Sequence, residues 1–285
     1  MSRIRLGIVA VVALTLTVSM TSVGVILFPV GDRMSSPGMW MDKYRAEDVW
    51  RVLVNGFASA NPDYGVSFLD SRRDELPVSS QGGELRLVLS PMPGILGNDL
   101  RFESSIKLLA DGSVETPRLW SSRISAAYRL LAFRTAPVED MLDEVRGPFW
   151  ATGVVWFKRP MTMAEVAAFW PHAIQTVFFP PSARGAEAPP ITWSATTTCT
   201  IGGMKKCEDS LSAVAQFQRW ASSLTAQDYG LLEQTGMDGE EIKARAASGR
   251  IAGMLVTSDL TGMRQLARSP AVEGAQVVEV TRMWG

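Results

Sequence analysis

The sequence predicts an α+β protein with an N-terminal transmembrane helix and an extracytoplasmic region in two parts. Three observations predict this fold class: a long uncharged apolar run, a helical pattern followed by alternating strands, and a repeat of strand, helix and strand. The expected segments are a cytoplasmic tail over 1–5, an anchor over 6–31, a linker over 32–41, a helix-plus-antiparallel-strand part over 42–147 and a ferredoxin-like repeat part over 148–285.

The apolar run defines the expected topology. Residues 6–31 carry no charged side chain, and a helix needs about 20 apolar residues to cross a bilayer. Arg3 and Arg5 precede the run, so the positive-inside rule keeps the N-terminus in the cytoplasm and places the rest of the chain outside. A cleaved signal peptide is the alternative, although its apolar region typically has about 7–15 residues and ends at a small-residue cleavage site. Both alternatives place the region after residue 31 outside the cytoplasm.

Composition and charge limit the partners of the outer region. Apolar residues make up 46 % of the chain and charged residues 20 %. Without Arg3 and Arg5 the outer region has 26 basic and 29 acidic residues. A slightly acidic domain offers no polyanion-binding surface, so we expect no nucleic-acid partner.

The two cysteines, Cys199 and Cys207, are expected to form a disulfide. Disulfides persist outside the cytoplasm, and no third cysteine competes. Gly202 and Gly203 between them favour the tight turn that so short a loop needs. Two free thiols are the main alternative. A metal site would need further ligands, and His172 is the single histidine of the chain.

The part over 42–147 begins with a helical pattern and continues as strands. Apolar residues recur at helical spacing up to a stop at residues 61–63, where the sequence reads Asn-Pro-Asp. The residues of this apolar face are Trp50, Leu53, Val54 and Phe57. Strand alternation follows, and the residues expected on its buried face are Leu85, Leu87, Leu89, Leu100, Phe102, Ile106 and Leu108.

Turn and boundary signals complete this part. Asp111 and Gly112 predict a hairpin turn into residues 113–115. The loop from Pro91 to Asn98 is apolar and rich in breakers; it is either an exposed contact site or folded back onto its own sheet. Short helices are expected over 125–133 and 137–145, and the Gly147-Pro148 dipeptide marks the internal boundary.

The last part carries two copies of one pattern, over 151–179 and 251–280. In the first copy an apolar strand leads to Thr162-x-x-Glu165, a capping box that opens a helix. Strand, helix and strand, twice over, is the split pattern of a ferredoxin-like sandwich, so we expect both copies in one sheet. Gly153 and Gly253 are expected at equivalent strand positions close to a neighbouring backbone. The residues expected in the core between sheet and helices are Val155, Leu255, Val166 and Leu266. Chance similarity of the two units is the alternative.

The insertion over 180–250 predicts a proline-rich loop, the cysteine segment and three helices. The first helix has an apolar face at helical spacing formed by Leu211, Val214, Phe217, Trp220, Ala221 and Leu224. Thr225-x-x-Asp228 is expected to cap the second helix, which ends at Gly236. Asp238-x-x-Glu241 is expected to cap the third, which ends at Gly249.

A search for catalytic chemistry gives no candidate residues. The chain has no nucleophile elbow, P-loop, zincin helix or dinucleotide fingerprint. His172 follows a proline at a predicted helix end, where a solvent-facing role is typical. The acidic pairs Glu139-Asp140, Asp143-Glu144 and Glu240-Glu241 lie in helix end turns, where the helix dipole or solvation explains them. The aromatic residues at 150, 156, 157, 169, 170, 178 and 179 are spaced as core positions, with a ligand groove as the alternative.

One family resemblance adds to this interpretation. Residues 153–166 (GVVWFKRPMTMAEV) and 251–270 (IAGMLVTSDLTGMRQLARSP) resemble the strand-and-capped-helix segments in the extracytoplasmic C-terminal domain of membrane-bound sigma-factor regulators. The resemblance implies an envelope-signalling context and hands over no catalytic residue. That family places a cytoplasmic sigma-binding module before the membrane helix, whereas five residues precede it here, so direct sigma-factor binding is not expected.

The sequence therefore predicts a membrane-anchored extracytoplasmic sensing or binding protein that acts in envelope signalling. Its expected partners are the membrane and another envelope or membrane protein, with no cofactor and no metal. An anchored envelope enzyme or ligand-binding carrier is the alternative function. A deep pocket with converging polar groups would favour this alternative, and a shallow surface with an apolar patch would favour partner binding.

Overall fold

A computed structural model describes most of the chain after residue 45. The described residues are 46–68, 78–79, 82–92, 101–119, 124, 127, 147–172, 174, 176–180, 191–195 and 212–282. The predicted anchor over 6–31, both cysteines, the helix over 137–145 and loop residues 93–98 lie outside them. In the described ranges no helix has the length and apolarity to cross a bilayer.

The described elements alternate between sheet-forming segments and short helices. In the first part they are α1 (Ala46–Ala60), β1 (Tyr64–Phe68), β2 (Val78–Ser79), β3 (Gly82–Pro91), β4 (Phe102–Leu109) and β5 (Val114–Glu115). In the second part they are β6 (Phe149–Met161), α2 (Met163–Ala167), β7 (Thr176–Phe178), β8 (Thr192–Ser194), α3 (Ala213–Ser223), α4 (Tyr229–Gln234), α5 (Gly239–Ser248), β9 (Ile251–Asp259), α6 (Leu260–Ala267) and β10 (Val272–Arg282). The predicted α+β class is confirmed.

The first part is a helix on an antiparallel sheet. Its strands lie in the order β1-β3-β4-β5, and β2 also pairs with β3. The alternation of β3 places Leu85, Leu87 and Leu89 in the core, as predicted. The predicted turn at Asp111 and Gly112 is confirmed as well, because Gly112 has a φ of +82° and the Ser113 N–H and Oγ–H both donate to the Asp111 carboxylate.

The second part is a five-stranded antiparallel sheet in the order β10-β6-β9-β7-β8. The four strands of the two repeat copies thus interleave in one sheet, in the split βαβ order, with β8 added at the edge. Val166 of α2 is fully buried and Leu266 of α6 is 2 % exposed. The prediction that the copies share one sheet and bury these two side chains is confirmed.

The predicted assignment of strand faces is wrong for Leu255. Val155 lies opposite Met254, and Leu255 lies opposite Val154. Opposed residues of antiparallel strands share a face, so Val155 and Leu255 point to opposite faces of the sheet. The prediction treated positions 100 residues apart in the two copies as equivalent. Because side chains alternate with period two, this alignment is one residue out of register for β9 and assigns Leu255 to the wrong face.

The two faces of the second sheet have different covers. The face with Val155 and Met254, the helix face, packs on α6: a Cβ built on Gly153 would lie 3.4 Å from the side chain of Met263. The other face carries Val154, Leu255 and Phe178, which form a buried cluster with Ile124 and Ala127. We call it the cleft face. Both predicted glycines lie close to a neighbouring backbone, Gly153 to Gln276 O and Gly253 to Val155 O. They are not at equivalent positions, because Gly153 lies on the helix face and Gly253, opposite Trp156, on the cleft face.

The insertion follows the predicted helices with one correction. Ser212 caps α3, and Asp238 Oδ1 accepts from two backbone N–H groups of α5, which ends at Gly249 with a φ of +59°. Helix α4 begins after Asp228 and not at Thr225. The Asp228 carboxylate instead accepts from the Thr225 N–H at 2.6 Å and closes a turn ahead of the helix.

Two aromatic residues expected in the core are exposed. Phe102 is 42 % exposed and Trp150 is 41 % exposed. Both stand at or next to the first residue of a long strand, where the alternation pattern continues but the core does not. The alternation of a strand predicts which side chains point toward the core. It does not predict how far along the strand the core extends, so residues at the strand end can be exposed.

Candidate functional site

A small cleft lies where the end of α1 meets the cleft face of β7 and β8. It is lined from both parts of the molecule by Ala58, Ser59, Pro62, Tyr64, Gly65, Met92, Thr176, Thr192, Trp193 and Ser194. None of these ten side chains carries a formal charge. The cleft is therefore a neutral site built from hydroxyl and apolar groups.

Helix α1 positions the first wall of the cleft. Its predicted apolar face is buried, because Trp50, Leu53, Val54 and Phe57 are each at most 2 % exposed. The helix packs on β1, β8 and α4, and the charged pair Asp48 and Arg51 lies on its partly exposed side. Gly56 allows the close approach to α4, because a Cβ there would lie 2.6 Å from Thr235 Oγ1.

Strands β7 and β8 supply the second wall. Thr176 lies directly opposite Ser194, and Thr192 lies opposite Phe178. These pairs place the hydroxyls of Thr176, Thr192 and Ser194 on the same face of the sheet, which is the cleft face. Thr192 Oγ1 donates to the Ser59 carbonyl oxygen at 2.9 Å and so ties β8 to the last turn of α1.

Two hydroxyls of the cleft have no protein partner. Ser59 is 2 % exposed and Thr176 is 3 % exposed. Neither Ser59 Oγ nor Thr176 Oγ1 has a hydrogen-bond partner in the part of the chain that the structure describes, and the same holds for the buried Trp193 Nε1. Burial without a partner costs a polar group free energy. Ser59 and Thr176 both line the cleft, whereas the Trp193 ring points to the opposite face of the sheet, where it packs on Phe217 and Trp220.

Aromatic and thioether side chains form the rim of the cleft. Tyr64 lines it and makes an edge-to-face contact with Phe102, with ring centroids 5.9 Å apart. Met92 lines it from the end of β3 and also packs on the buried cluster of the cleft face. We call Tyr64, Met92 and Phe102 the rim. With Phe102 at 42 % exposure, the rim presents apolar surface to solvent.

The dimensions of the cleft restrict what it can bind. Its cavity volume is about 20 Å³, whereas sites for drug-sized ligands have about 300–1,000 Å³. A single water needs about 10–15 Å³. The cleft, as the described residues bound it, therefore has room for about one water molecule.

Glu165 is the titratable group whose pKa the structure lowers most clearly. Its carboxylate accepts from the Thr162 backbone N–H at 2.7 Å and from Arg159 Nη2 at 2.7 Å, and Arg250 lies 3.7 Å away. The Thr162 N–H, and then Arg159, lower the pKa of Glu165 from 4.5 to about 2. This is the predicted capping box, and its role is to begin α2 and bind the strand ends around it.

The other residues considered from the sequence do not converge on a reaction centre. His172 is exposed, with its ring 4.7 Å from that of Trp170. Glu240 and Glu241 lie in the first turn of α5, where Glu241 binds Arg245 at 3.0 Å. Cys199, Cys207, the acidic pairs at 139–140 and 143–144, and residues 93–98 lie outside the described residues, so the disulfide remains a prediction.

Sequence reasoning missed the cleft altogether. The hydroxyl of Ser59 comes from a segment more than a hundred residues before those of Thr176 and Thr192, and each stands among apolar neighbours that give the pattern of an ordinary core element. The one available signal was a buried-face position occupied by Ser or Thr. Within the described ranges no group of three or more His, Cys, Asp or Glu side chains could hold a metal ion.

Comparison with known proteins gives no assignment. No protein family, no curated protein and no solved structure matches the chain. The function must therefore be argued from the residues and contacts described above.

Proposed function

We propose that this chain is a membrane-anchored extracytoplasmic protein that binds a partner and acts in envelope signalling, in the manner of the outer domain of sigma-factor regulators. The uncharged run over 6–31, preceded by Arg3 and Arg5, supports the anchor. The motifs over 153–166 and 251–270 support the signalling context. The expected partner is an envelope or membrane protein.

The observation that carries the proposal is the position of α1. In the chain it follows the proposed anchor and linker, and it packs on β1 of the first part and on β8 and α4 of the second part. Thr192 of the second sheet holds its last turn, while Arg51 Nη1 donates to Ser223 Oγ of α3 at 2.7 Å. A change at either sheet thus reaches the helix that leads back to the membrane.

The rim is the proposed contact surface. Aromatic and methionine side chains are enriched in protein interfaces relative to the rest of the surface. Phe102 is exposed and is supported by Tyr64, so it offers an ordered apolar contact at little entropic cost. The cleft beside it, as the described residues bound it, has a volume of about 20 Å³.

The test is a genetic one with a matched pair of variants. The host gene is deleted and complemented with the wild-type chain, with Phe102→Ser, or with Leu109→Ser. Leu109 is the control because it is on the same strand and similarly exposed, at 38 %, but lies outside the rim. Transcript levels across the genome are the readout.

The proposal expects a defined set of envelope genes to change expression on deletion. The wild-type chain and Leu109→Ser should restore normal expression of these genes, and Phe102→Ser should not. All three proteins must be present at equal level in the membrane fraction. An unchanged transcriptome on deletion would refute the signalling function. Equal complementation by both variants would refute the rim as the contact surface.

A further inference from the structure

Strand β4 has an open side next to the rim. β3 pairs with β4 along its whole length, from Phe102 to Leu109, whereas β5 pairs with β4 at Lys107 and Leu108 only. Among the described residues, none pairs with the other side of β4 between Phe102 and Ile106. This open side begins at Phe102, which is 42 % exposed and belongs to the rim.

The hairpin that follows β4 fixes which main-chain groups face the open side. The Leu109 N–H donates to the Ser113 carbonyl oxygen at 2.8 Å, and the Leu109 carbonyl oxygen accepts from the Gly112 N–H at 3.0 Å. Both main-chain groups of Leu109 therefore face the β5 side. In an antiparallel ladder every second residue directs its N–H and C=O to the same side. Glu103 and Ser105 accordingly present their N–H and C=O groups to the open side.

Pro117 ends β5 at the point where the next hydrogen-bonded pair would form. Because Glu115 lies opposite Lys107, continued pairing would place Pro117 opposite Ser105. Proline has no N–H to donate to the Ser105 carbonyl oxygen. The neighbouring strand of the chain itself therefore stops short, and the main-chain groups of Glu103 and Ser105 stay open to another strand.

The open side lacks the features that protect many sheet edges from pairing. Such edges commonly carry β-bulges, prolines or charged side chains. Strand β10, at the edge of the second sheet, has two register shifts, whereas the pairing of β4 with β3 is regular from Phe102 to Leu109. Glu103 is the single charged residue in 102–106. Its carboxylate binds Arg86 of β3 at 2.6 Å and so reaches away from the open side.

We propose that the partner protein contributes an extended segment that adds to β4 as a further strand. This inference rests on the proposed function, because it names the kind of partner segment that the rim binds. Main-chain groups of the added strand pair with those of Glu103 and Ser105. Strand addition at an exposed sheet edge is a recurrent mode of peptide recognition, in which main-chain hydrogen bonds give affinity and alternate side chains give specificity.

The two faces of β4 define the sequence pattern of that segment. Ser104 lies opposite the buried Leu87, whereas Glu103 and Ser105 alternate to the outer face of the sheet. A residue of the added strand opposite Ser104 therefore lies beside the exposed ring of Phe102, where an apolar side chain fits best. Its two neighbours face solvent beside Glu103 and Ser105, where polar side chains fit best.

The test combines photo-crosslinking with a proline substitution in the full chain, in host cells. The photoreactive residue p-benzoylphenylalanine is placed at position 103, 105 or 107, and the adducts formed in light are identified by mass spectrometry. Ser105→Pro removes a main-chain donor of the open side and leaves the ladder with β3 in place, because proline is tolerated where the N–H faces outward from an edge. Ser105→Ala keeps the N–H and is the matched control.

Strand addition predicts a register in the adducts. Probes at positions 103 and 105 should label the same partner protein at sites that shift by about two residues, because paired strands advance residue by residue. A probe at position 107, where β5 occupies the edge, should label it weakly. Ser105→Pro should lower the adduct yield from position 103 by about tenfold, which corresponds to about 1.4 kcal/mol, and Ser105→Ala should leave the yield unchanged at equal protein level.

Several outcomes would overturn strand addition: no adduct, adducts with lipid or with a second copy of the chain, labelled sites that do not shift with the probe, or equal yields from Ser105→Pro and Ser105→Ala. If Ser105→Pro does not accumulate, the shift of sites between the probes at 103 and 105 decides. Failure of the proposed function is a separate result. An unchanged transcriptome on deletion, with the register of adducts present, would refute the signalling function and leave strand addition standing.

Discussion

Glu165 shows how one side chain combines local and long-range roles. Through the Thr162 N–H it begins α2, and through Arg159 and Arg250 it holds the end of β6 beside the start of β9. Arg250 also donates to the Pro160 carbonyl oxygen at 3.0 Å. The sequence pattern predicted the cap because it is local, but the second arginine comes from 85 positions further along the chain and no local pattern identifies it.

The lowered pKa of Glu165 gives a pH-dependent prediction. The folded pKa is about 2 against an ordinary 4.5, so the carboxylate contributes to stability above about pH 4.5, and this contribution is lost as the pH falls toward 2. We expect Glu165→Gln to have a lower Tm than wild type at pH 7 and an almost equal Tm near pH 2. Thermal unfolding of both proteins across this range is the measurement, and a constant difference at all pH values would contradict the assignment.

Leu266 provides a second prediction at the residue scale. Leu266 belongs to α6, and its side chain is 2 % exposed in the core between this helix and the sheet. Leu266→Ala should therefore lower the free energy of unfolding by about 2–4 kcal/mol. Its neighbour Gln265 is exposed on the same helix, and Gln265→Ala should change stability by less than about 0.5 kcal/mol. Denaturant titration measures both, and a similar small effect of the two variants would place Leu266 outside the core.

At the scale of elements, the sequence predicts well what depends on neighbours along the chain. The caps at Thr162 and Asp238, the turn at Gly112 and the alternation of β3 follow from short patterns, and all are present. The face of Leu255 and the exposure of Phe102 depend on which strand pairs with which and where the core ends. These are tertiary properties, so periodicity alone gave the wrong expectation.

The packing of α1 on α4 yields a prediction whose sign is informative. Gly→Ala inside a helix ordinarily stabilises by about 1 kcal/mol. At Gly56, however, the new Cβ would lie 2.6 Å from Thr235 Oγ1 and 2.9 Å from Leu232 Cδ2. We therefore expect Gly56→Ala to lower Tm, because the buried side chains of Thr235 and Leu232 must shift to make room for the new methyl group.

Thr235→Ala supplies the matched test of that contact. It removes the nearest atom, so the double variant Gly56→Ala/Thr235→Ala should recover part of the loss relative to Gly56→Ala. Thr235 Oγ1 also donates to the Leu232 carbonyl oxygen at 2.8 Å, so the single variant Thr235→Ala must be measured as the reference. A higher Tm for Gly56→Ala alone would show that α1 and α4 are not in this close contact.

At the scale of the whole molecule, the insertion between the repeat copies binds the two parts together. Gln234 of α4 accepts from the Val114 N–H at 2.6 Å and donates to the Gly112 carbonyl oxygen at 3.2 Å, which fixes the β4–β5 hairpin to the insertion. Met92, directly after β3, packs on the cluster of the cleft face. The sequence divided the chain at Gly147 and Pro148, but hydrogen bonds and core contacts cross that boundary, so the two parts should unfold together.

The remaining prediction concerns the orientation of the entire chain. Arg3 and Arg5 precede an uncharged run of sufficient length to span a bilayer, so the N-terminus should stay in the cytoplasm and the run should remain uncleaved. A C-terminal tag should then be degraded by protease added to spheroplasts, while a cytoplasmic marker survives. N-terminal sequencing should read the start of the given sequence, whereas a mature start at about residues 20–35 would identify a signal peptide. A protected tag on intact spheroplasts would reverse the orientation and, with it, the extracytoplasmic placement on which the proposed function rests.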